Sequence, residues 1–177
     1  MNPPLLLIGY GNPGRLDDGL GPAFAAAVEG MGLEGVTVDA DYQLTVEHAA
    51  AVAGHGLVLF ADAAVRGPAP FALYPVAPTD EGAGFSTHSV SSGAVMALAR
   101  DLFGAAPPAW AIGLRGYDFD GFGERLGERA SAHLKAALRA LTPALRAATL
   151  SEAVRALEPW MNRTGPTEER PCATAST

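Results

Sequence analysis

Leu5-Leu6-Leu7-Ile8 is an uninterrupted apolar run that stops at Gly9. Such a run fits a strand buried on both faces, as parallel sheets require. A helical pattern follows over residues 19–29 and ends near Gly30 or Gly32. Residues 36–40 read as a second strand. Residues 45–53 read as a short helix, with Thr45 as its N-cap and Gly54 just past its end. Residues 57–61 form a third apolar strand. Residues 71–76 form a fourth, placed at a sheet edge by Pro70 and Pro75. A helix is predicted over 89–103 with Gly104 closing it. A fifth strand covers 109–114, and a long helix covers 123–141 until Pro143 halts it. Thr149-Leu150-Ser151-Glu152 has capping-box spacing and starts a further helix through Leu157.

The order β-α-β-α-β-β-α-β-α predicts an α/β fold, a mostly parallel sheet with helices on both faces. A chain of 177 residues is long enough for one domain with a substantial core, assigned to residues 1–158. Residues 159–177 are polar, contain three prolines and lack apolar periodicity, so they read as a disordered tail.

Composition narrows the functional classes. The formal net charge of −7 argues against nucleic acid, which needs clustered Lys and Arg. The single cysteine, Cys172, excludes a disulfide framework and a cysteine metal site. The opening residues lack a basic stretch, and no apolar run approaches the length of a membrane span, so a soluble cytoplasmic protein is expected.

Ligands of open α/β sheets bind outside the carboxyl ends of the strands. The glycine-rich turn after strand one carries Asn12, Asp17 and Asp18. Two adjacent carboxylates there favour a cation over a phosphate. Asp39 and Asp41 follow strand two, and Asp62 follows strand three. Ser86-Thr87-His88-Ser89 lies between strand four and the helix after it, and Arg115 and Asp118 follow strand five. Asp18, Asp62 and His88 thus come from separate loops on one predicted edge. Two carboxylates and an imidazole suit a divalent transition metal. Each also has a plain structural reading, since carboxylates cap helix N-termini. His48 and His133 fall within predicted helices and read as surface residues, and His55 sits in a Gly-His-Gly turn.

Gly9-Tyr10-Gly11-Asn12-Pro13-Gly14 formally matches G-x-G-x-x-G, with Asp39 near dinucleotide-binding spacing. Pro13 removes an N–H from any phosphate cradle, and Asp17 and Asp18 repel a pyrophosphate. The same segment resembles the opening of peptidyl-tRNA hydrolases, but Leu16-Asp17-Asp18-Gly19 stands where that family continues differently.

The whole combination resembles the hydrogenase maturation proteases. The matching pieces are Gly9-Tyr10-Gly11-Asn12 with Asp17-Asp18-Gly19-Leu20-Gly21, then Leu57-Val58-Leu59-Phe60-Ala61-Asp62-Ala63, then Thr87-His88-Ser89. The resemblance spans about residues 5–141. It implies a three-layer α/β/α fold with a twisted five-strand sheet. It implies an endopeptidase that removes the C-terminal extension of a [NiFe] hydrogenase large-subunit precursor. Asp18, Asp62 and His88 take the positions that contact nickel, which the precursor supplies; they are also the candidate catalytic residues. Many family members carry an Asp-Gly-Gly-Thr segment where this chain has Asp39-Ala40-Asp41-Tyr42, so that place is open to either Asp39 or Asp41. Residues 43–47, Gln-Leu-Thr-Val-Glu, resemble the subgroup serving soluble, often NAD-coupled hydrogenases. No G-x-S-x-G elbow or Ser-His-Asp arrangement competes for the hydrolytic role. The alternative reading is a non-catalytic metal- or dinucleotide-binding accessory protein. A further option makes the helices of 123–158 a partner-docking surface.

Overall fold

The computed structural model describes residues 5–80 and 90–161. Five strands form the sheet: β1 (Leu5–Tyr10), β2 (Val36–Asp41), β3 (Leu57–Ala64), β4 (Phe71–Pro75) and β5 (Ala109–Arg115). Their order is β2-β1-β3-β5-β4. All neighbours are parallel except β4, which runs antiparallel to β5 at the edge. The helices are α1 (Leu20–Glu29), α2 (His48–Ala53), α3 (Ser92–Phe103), α4 (Glu128–Leu145) and α5 (Leu150–Met161).

Strand alternation divides the core into two layers. Leu5, Leu7, Leu57, Leu59, Ala61, Trp110, Ile112 and Leu114 face α1, α4 and α5 through Phe24, Leu141 and Leu157. Leu6, Ile8, Val58, Phe60 and Ala111 face α2 and α3 through Val52, Val95 and Met96. Full burial of each large side chain contributes about 1.5–3 kcal/mol. The fold is therefore the three-layer α/β/α arrangement expected from the chain.

Several boundaries differ from the sequence expectation. β3 continues past Ala61, because β5 supplies ladder partners as far as Arg115, and Asp62 is paired with Gly113 inside the sheet. Asp62 is thus a strand residue, not the first residue of a loop. α2 starts at His48 instead of Thr45. Glu47, not Thr45, stands at the N-cap, without a side-chain cap bond, and the Thr45 N–H donates to His48 Nδ1 at 2.9 Å.

α4 begins only at Glu128 and passes through Pro143 to Leu145. Ala144 and Leu145 are buried on that extra turn, and their packing outweighs the missing proline N–H. The Thr142 hydroxyl donates to the Leu138 carbonyl at 2.6 Å beside it. α5 likewise passes Leu157 and Glu158. Trp160 packs on Phe71 with ring centroids 5.3 Å apart, and Trp110 Nε1 donates to Met161 Sδ at 2.8 Å. Pro159, Trp160 and Met161, assigned from sequence to the tail, are helical. Residues 162–177, with Cys172, lie outside the described residues.

Candidate functional site

The first turn of the chain owes its shape to close backbone approach. A Cβ on Gly9 would lie 2.3 Å from the Gly21 carbonyl oxygen, and a Cβ on Gly21 would lie 2.2 Å from that of Tyr10. Gly11 has φ +143°, and a Cβ there would meet the Asp18 carbonyl oxygen at 2.1 Å. These glycines let α1 and the preceding 3-10 turn, Leu16–Gly19, lie directly on the ends of β1 and β3. Gly9 and Gly11 of the G-x-G-x-x-G match are thereby explained by packing.

Asp17 and Asp18 are neighbours in sequence with different surroundings. Asp17 is 1% exposed. Its Oδ2 accepts N–H bonds from Tyr117 at 2.8 Å and Asp118 at 3.0 Å, and its Oδ1 accepts from Gly127 at 2.7 Å. Burial pushes its carboxyl up, but the N–H donors of Gly127, Tyr117 and Asp118 outweigh burial and hold it below its ordinary value. Asp17 therefore fastens the segment between β5 and α4 to the first turn. Asp18 is half-buried, and its Oδ2 accepts the Asn12 N–H at 3.0 Å. The Asn12 side chain in turn accepts from Gly14 N–H at 2.9 Å, which fixes the turn from inside.

Leu16 adds a strained element to the same turn. It has φ 52°, a region that β-carbon sterics disfavour, and is nonetheless buried. Its N–H donates to the Gly123 carbonyl at 3.1 Å, and Gly123 N–H donates to the Gly14 carbonyl at 2.8 Å. The cross-links between the two loops hold it there.

Asp62 is half-buried near the end of β3, and its Oδ1 accepts the Ala63 N–H at 2.8 Å. Strand alternation puts it on the α2–α3 side, with Phe60. The β1–β3 register ends at Gly9 with Ala61, so Asp62 lies one residue beyond, at the carboxyl edge. The 3-10 turn that carries Asp18 contacts β3. Asp18 and Asp62 thus share one edge of the sheet. His88 lies outside the described residues, as do Ser86, Thr87 and Ser89. Val90, the next residue in the chain, donates its N–H to the Leu44 carbonyl at 3.4 Å. Among the described residues, no three His, Cys, Asp or Glu side chains group closely enough to hold a metal ion.

The remaining candidates separate. Asp41 is exposed and accepts the N–H of Tyr42 at 2.7 Å. Asp39 lies 3.6 Å from His48 Nε2. His48 is only 5% exposed, which corrects its reading as a surface residue. Its Nδ1 accepts from Thr45, so in the neutral ring the proton sits on Nε2, facing Asp39. The signal was its position four residues before Val52, on the helix face that packs inward. His133 is half-buried and donates from Nδ1 to the Arg115 carbonyl at 3.0 Å. Arg129 and Arg115 stack on Tyr117 at 3.7 and 4.8 Å.

No protein-family model matches this chain, and no curated protein does. Solved structures do match. The fold is that of the [NiFe] hydrogenase maturation proteases. HycI from Thermococcus kodakarensis KOD1 is similar at TM-score 0.59 and 19% identity, over 78% of this chain and 89% of that one. The maturating endopeptidase HybD from E. coli is similar at TM-score 0.59 and 20% identity, over 80% and 91%. The hydrogenase 2 maturation peptidase from Thaumarchaeota archaeon SCGC_AB-539-E09 is similar at 0.54 and 20%, over 76% and 93%. Each of these matches covers 76–80% of this chain.

Proposed function

We propose that this protein is an endopeptidase that removes the C-terminal extension of a [NiFe] hydrogenase large-subunit precursor. The observation that carries the reading is Asp18 and Asp62 sharing the carboxyl edge of a maturation-protease fold. Both stand in segments that resemble that family, and His88 supplies its third position. The reading needs hydrolysis by carboxylates, since the described site offers no Ser-His-Asp set.

Nickel belongs to the substrate in this proposal. Carboxylate oxygens and an imidazole fit an incoming divalent metal held by the precursor. The Asn12 N–H donates to Asp18 Oδ2 and fixes the orientation of that carboxylate. Asp62 is positioned by a rigid strand rather than a loop. A bound metal of this kind polarises a carbonyl or activates a water. The protease would then engage only precursors that have received their metal. The same reading makes the reaction a cytoplasmic one. Among the described residues, no helix is long and apolar enough to cross a membrane.

The test compares wild type with Asp18→Ala on nickel-loaded and nickel-free precursor, following precursor mass. Cleavage confined to wild type with loaded precursor supports the reading. Metal binding with no cleavage of a matched precursor would favour an accessory protein instead.

A further inference from the structure

Four of the seven exposed large apolar side chains among the described residues stand in loops at one edge of the sheet. Tyr42 follows β2, Val46 precedes α2, Val65 follows β3 and Phe122 follows β5, and all four are exposed. Their loops leave the same carboxyl edge that carries Asp18 and Asp62. Phe122 is the extreme case at 88% exposed. An aromatic ring left in water on a floppy loop would carry little meaning. This loop is not floppy. Gly123, the next residue, is hydrogen-bonded through both its N–H and its carbonyl to Gly14 and Leu16. The buried Asp17 carboxylate holds the loop at Tyr117, Asp118 and Gly127. Leu16 packs against Gly121 and Gly123 on either side of Phe122. The ring is therefore carried on a frame fixed to the turn that holds Asp18.

We propose that Phe122 is the principal anchor of a docking surface for the protein substrate, on the sheet edge whose other loops expose Tyr42, Val46 and Val65. The inference rests on the proteolytic reading above and identifies how that substrate is held. Phe122 enters an apolar recess on the precursor close to the bond that is cut. A preordered aromatic gives up little conformational freedom on binding, which is what makes such a residue an interface hot spot. The occupant is the substrate, because the loop that carries Phe122 is hydrogen-bonded to the turn that carries Asp18.

The test uses the full chain and a nickel-loaded precursor, with variants Phe122→Ala, Phe122→Trp and Phe103→Ala. Phe103 is also exposed, but it ends α3 at the opposite edge of the sheet. Phe122→Ala is expected to raise KM by about tenfold or more, with kcat and melting temperature unchanged. Phe122→Trp is expected to restore most of the affinity, and Phe103→Ala to behave as wild type. Precursor binding is measured in parallel by a pull-down that needs no cleavage. KM and precursor affinity of Phe122→Ala within twofold of wild type would overturn the proposal. So would a monomer–dimer equilibrium of this chain that Phe122→Ala abolishes. If wild type binds the precursor without cutting it, the proteolytic reading fails and the binding arm alone decides the docking surface. Wild type that neither binds nor cuts overturns both.

Discussion

Asp17 Oδ1 accepts the backbone N–H of Gly127 at 2.7 Å, across 110 positions of sequence. The bond joins the first turn of the chain to the entrance of α4. With the Tyr117 and Asp118 bonds it leaves this carboxylate facing donors only. Asp17→Asn replaces one acceptor oxygen with an NH2 group that must oppose an N–H. A loss of about 2–4 kcal/mol in unfolding free energy is expected from denaturant titration.

The same carboxylate gives the stability a pH signature. Its folded pKa lies below the ordinary value of 3.8, so the unfolded chain binds its proton first as pH falls. Asp17 therefore stabilises the fold fully above that ordinary value, and the contribution is lost as pH falls through the lower folded value. Melting temperature measured from pH 6 to pH 2 should drop less steeply in Asp17→Asn than in wild type. Parallel curves would show that Asp17 does not carry the acid sensitivity.

Gly21→Ala places a methyl group 2.2 Å from the Tyr10 carbonyl oxygen and 2.5 Å from that of Ala61. Both obstacles are backbone, so α1 must move off the sheet. Destabilisation of about 3 kcal/mol or more is expected, beyond the usual cost of overpacking. Gly32→Ala is a useful contrast in thermal melts, since nothing lies within 4 Å of its added Cβ. Its effect comes only from the positive φ of 58°.

Asp62→Asn should keep the fold and lose the activity. The amide preserves volume and can still accept the Ala63 N–H. Precursor processing is expected to fall by about a hundredfold or more, with an unchanged circular dichroism melt. Wild-type turnover by Asp62→Asn would remove this residue from the reaction.

Ending the chain after Glu158 removes Trp160 from Phe71 and Met161 from Trp110. Loss of one large aromatic contact is expected to cost about 2–3 kcal/mol, read from thermal melts. A chain ended after Met161 keeps both contacts and is the control in the same melts.

The strands and the layer arrangement were legible because buried parallel strands read as continuous apolar runs. Leu5-Leu6-Leu7-Ile8 and Leu57-Val58-Leu59-Phe60 show this directly. The boundaries were not, because they depend on partners distant in sequence. Asp62 looks like a loop residue until β5 is seen to extend beside it. Pro143 looks like a stop until the burial of Leu145 is known. The candidate edge was legible through the topology rule, which placed Asp18 and Asp62 together. The division of labour between Asp17 and Asp18 was not. Adjacent identical residues carry no local sign of which one turns inward to Gly127. His48 was misjudged although its spacing to Val52 puts it on the inward face, because Thr45 folding back onto the imidazole has no local sequence sign.

The proteolytic role is tested most directly by the mass of a nickel-loaded large-subunit precursor before and after incubation with this protein. A single discrete loss from the C-terminus is predicted, absent with nickel-free precursor and absent with Asp18→Ala. An unchanged mass with a correctly matched, nickel-loaded precursor would contradict it.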